Sequence, residues 1–127
     1  MSELQIEGMD ELLDRLSQIE INVALSIDST LNEAGNNVKD EMRRLVKVSS
    51  INHKHIKDDI QVTKIKGQGS NKYIEIAPGK DTNWRAKFLE FGTVKMSAQP
   101  FMEPAHINTK KDNSELIKRR IMEALRI

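Results

Sequence analysis

Apolar side chains first recur at Met9, Leu12, Leu13, Leu16 and Ile19, one stripe on a helix whose opening turns carry Asp10, Glu11 and Asp14. A second stripe, Ile27, Leu31, Ala34, Val38, Met42 and Leu45, advances by three or four residues, and the intervening charged residues fall on the opposite face. This is the long core helix. No proline interrupts residues 9–48, so the two stripes either meet at a bend near Glu20 to Val23 or run on with little break. Ser49 and Ser50 lead into the polar stretch Ile51-Asn52-His53-Lys54-His55, which reads as a loop.

From Ile60 the period changes to two. Ile60 and Val62 alternate with Gln61 and Thr63, and Tyr73-Ile74-Glu75-Ile76-Ala77 follows the glycine-containing tip Lys66-Gly67-Gln68-Gly69-Ser70-Asn71-Lys72. The pattern predicts a hairpin ended by Pro78-Gly79. Trp84 to Phe91 fits two periods: extended, it places Ala86, Phe88 and Glu90 on one side; helical, it groups Trp84, Phe88 and Phe91. A third strand ending at Phe91 is the preferred reading. Leu116, Ile117, Ile121, Ala124 and Leu125 close the chain as an amphipathic helix capped by Asp112, Asn113 or Ser114. The expected class is α+β: N-terminal helices, one of them long, a small antiparallel sheet of three or more strands, and a C-terminal helix, all in one domain over residues 1–127.

Composition removes several classes of function. There is no cysteine, so thiolate nucleophiles, zinc ribbons and disulfide frameworks are excluded, and a cytoplasmic setting is expected. Lys and Arg number 20 against 19 Asp and Glu, which leaves no global field to mark a nucleic-acid or membrane binder. No apolar run approaches the roughly 20 residues of a membrane span, and Met1-Ser2-Glu3-Leu4-Gln5 lacks a signal-peptide pattern.

His53 and His55 point to one side of an extended segment, as a metal pair would. Lys54 lies between them, His106 is the only other histidine, and Asp58 and Asp59 would have to fold back to add oxygen ligands. A solvated loop is the better reading, and a metal-dependent enzyme built on this pair ranks third among the functions. No activated-nucleophile turn such as Gly-x-Ser-x-Gly occurs. The Lys66–Lys72 tip joins strands and precedes no helix, so it is not a phosphate cradle. Its lysines, with Lys64, Lys110, Lys111, Lys118, Arg119 and Arg120, form a candidate basic face for a small nucleic-acid-binding regulator, set against five Phe, Trp and Tyr residues in all for base stacking.

The segment from Phe88 to Ala105 is the most informative. Gly92 suits a sharp exit from a strand, and Pro100 and Pro104 stiffen a path into the last helix, but Val94, Met96, Phe101 and Met102 are apolar in a polar loop. Leu89-Glu90-Phe91-Gly92-Thr93 and Gln99-Pro100-Phe101-Met102-Glu103-Pro104-Ala105 resemble the small neck, or head-tail joining, proteins of long-tailed bacteriophages and prophages, of the tail-completion type. The hallmark there is a strand ending in aromatic-x-Glu-Phe-Gly-Thr, a short loop, and Pro-Phe-x-x-Pro-Ala opening the C-terminal helix. The likeness extends more weakly to the N-terminal helix and the hairpin. A Thr-Gly-x-Leu-like turn common in that family is replaced here by Ile51 to Ile60.

The resemblance implies a non-enzymatic morphogenesis protein without cofactor or metal. It would assemble with itself in a ring and dock to phage connector and tail proteins, with no membrane and no sequence-specific nucleic acid as partner. It would work in the host bacterial cytoplasm during assembly and at the virion head-tail junction. The residues so marked are Phe91, Gly92 and Thr93, which shape the strand exit, and Val94, Lys95, Met96, Pro100, Phe101 and Met102, which pack or meet another subunit, with Glu90 and Pro104 as further residues of the same interface or structural motif.

Overall fold

The computed structural model describes residues 8–48 and 50–126. The readings made at Met1 to Gln5 and at Ser49 lie outside the described residues. Helix α1 runs unbroken over Met9–Leu45, 37 residues and about 55 Å. The two stripes therefore join without a bend, because no residue between Glu20 and Val23 breaks the backbone ladder. Asp10 and Glu11 in its first turn and Arg43 and Arg44 in its last oppose the partial charges of the helix ends.

Strand β1 (Ile60–Val62) pairs antiparallel with β2 (Ile76–Pro78) in the register Ile60↔Pro78, Gln61↔Ala77 and Val62↔Ile76. The ribbon continues toward its tip through the Lys66–Tyr73 bridge. Pro78 lies inside β2 as its last residue, where a two-stranded sheet leaves its missing N–H without consequence. The expectation of three or more strands is corrected: among the described residues the sheet has two.

The segment expected as the third strand is helix α2, Asn83–Phe91. Its sequence contains Arg, Ala, Lys, Leu and Glu and no β-branched residue, and a helix satisfies its own backbone without a neighbouring strand. Gly92 thus ends a helix, not a strand. The last helix, α3, spans Met102–Ala124 and begins ten residues before the Asp112-Asn113-Ser114 cap read from the sequence.

Helix α3 runs antiparallel to α1, and polar pairs set the register. Ser26 Oγ donates to the Arg120 carbonyl at 3.1 Å, Asn113 Nδ2 donates to the Ala34 carbonyl at 3.3 Å, and Arg120 meets Glu33 at 3.1 Å. With Ser26 opposite Arg120, the end of α3 falls near residue 22, so about 20 Å of α1 extends past it. The core lies at the other end of α1, where Val38, Met42 and Val46 meet Ile56, Ile60, Ala86, Phe101 and Ala105. Phe101, Ala86 and Ala105 are fully buried. A buried polar knot joins the sheet to α2: Thr82 donates its hydroxyl to Asp59 at 2.9 Å, and Lys54 lies 3.2 Å from the same carboxylate.

Candidate functional site

Beyond their shared core, one side chain of α2 hydrogen-bonds the start of α3. The Glu90 carboxylate, 9 % exposed, accepts the backbone N–H groups of Phe101 and Met102 at 2.9 Å each and of Glu103 at 3.1 Å. These are the free amides of the α3 N-terminus. The next residue, Pro104, has no N–H, and the first intrahelical bond follows from Ala105 to the Phe101 carbonyl at 3.3 Å. Every amide at this helix start is therefore accounted for. The anchor Phe101 closes the core beneath the cap.

Between Glu90 and Phe101 the chain makes a compact excursion. Gly92 has φ 76° and ψ 178°, and its N–H closes α2 on the Phe88 carbonyl at 2.8 Å. Thr93 and Met96 then bond each other's backbones around a two-residue tip, Val94-Lys95, and the Gln99 N–H returns to the Leu89 carbonyl at 2.7 Å. The loop is pinned at both ends.

The residues marked by the sequence thus separate. Glu90, Gly92, Phe101 and Pro104 build the junction, with Met102 packed partly against the core. Phe91 is 77 % exposed and Val94 fully exposed; Thr93, Lys95 and Pro100 are also exposed. Met96 turns toward an open groove of about 450 Å³, which sequence reasoning missed because its walls come from four separate segments. Val48, Ile51, Trp84, Phe88 and Leu89 line it, with Lys47, Arg85 and two histidines also on its walls. Trp84 and Phe88 contact edge to face with centroids 6.0 Å apart.

His53 and His55 sit in this groove with ring centroids 5.3 Å apart. Among the described residues no group of three or more His, Asp or Glu side chains is placed to hold a metal ion. Burial, then the neighbouring Arg85 and His55, hold the His53 imidazole below the usual histidine range. As pH falls, the unfolded chain takes up this proton first, so stability declines as pH drops through about 6.5 and on toward the folded value. His53→Gln is expected to lose that slope, read as the difference in urea midpoint between about pH 7.5 and about pH 5.5. An unchanged difference would refute it.

On the proposed basic face, Lys66 pairs with Glu75, Lys72 with Asp28 and Arg120 with Glu33. Much of the positive charge of the hairpin is therefore matched locally.

The fold and this junction define a small, mostly helical α+β protein with an apolar, loop-flanked groove at one end. Residues 10–92 match the family model described as "Bacteriophage HK97-gp10, putative tail-component". The chain belongs to this HK97-gp10-like family, which places it among the structural proteins of phage morphogenesis. No curated protein and no solved structure matches it. The family match covers α1 from Asp10, the sheet, and α2 with its capping Glu90, and stops at Gly92, before the start of α3. No helix among the described residues is long and apolar enough to cross a membrane.

Proposed function

We propose that the protein is a non-enzymatic morphogenesis component of the phage head-tail junction. It acts over residues 1–127 as one unit, by assembling with copies of itself in a ring and docking to connector or tail proteins. The observation that carries this is the pinned loop from Thr93 to Gln99, which presents Val94 to solvent next to the exposed Phe91 at the end of α2, beside an apolar groove. Apolar side chains held on a stiff loop lose little conformational freedom on docking. In a ring each weak contact is repeated at every interface.

The test combines Phe91→Ser and Val94→Ser. Both side chains are exposed, so the double variant should unfold within about 0.5 kcal/mol of wild type. It should self-associate less and yield fewer infectious particles when it replaces the wild type in a complementation assay. A full particle count from a correctly folded double variant would remove the loop from the interface. Normal particles from a phage lacking the chain would remove the reading as a whole.

A further inference from the structure

Among the described residues, the overhang of α1 carries an apolar surface without a partner. Met9, Leu12, Leu13 and Leu16 fall at i, i+3, i+4 and i+7, and each is close to half exposed, from 46 to 52 %. This is the anchor spacing of a helix that lies in an apolar groove. Over Met9 to Leu25 the charged residues are Asp10, Glu11, Asp14 and Glu20 against Arg15 alone. At the other end of the molecule the groove has apolar walls, carries Lys47 and Arg85, and has no acidic residue in its lining.

We propose that the N-terminal turns of α1 from one copy of this chain dock into the groove of a second copy. The proposal rests on the self-assembly reading above and names the occupant of its groove. Charge favours this pairing over the alternatives. Acidic flanks meet Lys47 and Arg85 in a stripe-to-groove contact, whereas two stripes packed together would bring net negative segments side by side. The contact cannot form within one chain: Leu16 lies 29 residues before the end of α1, about 45 Å along a continuous helix from the groove. Donor and acceptor surfaces at opposite ends of the same molecule make a head-to-tail interface, which closes into a ring or extends.

The absence of cysteine makes the contact directly testable. Leu12→Cys and Trp84→Cys are single variants at exposed positions, at 51 and 58 %. Mixed in equal amounts at high concentration and oxidised, they are expected to form a disulfide-linked dimer of one with the other, exceeding like-with-like dimers by about tenfold. The variant carrying both changes should give a ladder of linked species. A second pair, Leu16→Cys with Phe88→Cys, and circular dichroism of each protein guard against a misfolded or poorly aligned variant. Excess like-with-like dimers of Leu12→Cys would mean that stripes pair with stripes. Random yields from both pairs would mean no docking. Either result overturns the proposal. If the cross-links fail while phage lacking the chain makes no infectious particles, only this docking mode falls; if such phage is normal, the morphogenesis reading falls with it.

Discussion

Replacing Glu90 by Ala is expected to lower the unfolding free energy by roughly 2–4 kcal/mol, a large part of the stability of a domain this size. The substitution removes the acceptor for three amides at once. Met102 and Glu103 are accessible enough for water to replace part of the loss, but Phe101 is fully buried and its N–H would be left without a partner. An exposed N-cap alone is worth about 0.5–2 kcal/mol; the buried amide raises the cost above that range. Glu90→Gln should fall between the two proteins. Its amide oxygen can still accept from Phe101 and Met102, while its NH₂ group would oppose the Glu103 N–H. Urea unfolding monitored by circular dichroism gives the three midpoints. If Glu90→Ala unfolds with wild type, the carboxylate is not what holds α3 to α2.

Gly92→Val should cost a similar amount, about 2–4 kcal/mol, for two separable reasons. At φ 76° and ψ 178° the backbone lies where essentially glycine alone is comfortable. An added Cβ would also sit 2.8 Å from the Ala98 nitrogen and 2.9 Å from the Met96 carbonyl oxygen, both main-chain atoms that cannot swing aside. Gly92→Asn distinguishes this from an ordinary left-handed turn, which asparagine tolerates; here it should destabilise nearly as much as valine. Wild-type midpoints for both variants would mean that the loop is free to reorganise. Because Gly92 and Glu90 serve one junction, the double variant should lose less than the sum of the two single losses.

These two positions explain why an Glu-Phe-Gly-Thr segment and a Pro-Phe-x-x-Pro-Ala segment occur together. One supplies the cap and the turn, and the other supplies the helix start that is capped, with a proline where no further amide needs an acceptor. The structural consequence is that the loop between them is held at a set position beside the groove.

Local periodicity by itself determined the helices that are longest and the hairpin. The α1 stripes, the change of period at Ile60 and the apolar pattern near the C-terminus each repeat often enough to outweigh any single ambiguous residue. The family likeness was legible for the same reason, as two short segments rich in Gly, Pro and aromatic residues. Tertiary structure decided the rest. Trp84 to Phe91 is short enough to satisfy both periods, and its helix-forming composition, with Ala86 and Glu90 turned to the buried side, makes it a helix. Asp112, Asn113 and Ser114 look like a cap, yet Asn113 reaches across to Asn37 and the Ala34 carbonyl and stays inside α3. The true start of that helix is capped from eleven to thirteen residues away in sequence by Glu90. Capping patterns are local, whereas this carboxylate reaches the amides only because the core on Phe101 brings the end of α2 against the first turn of α3.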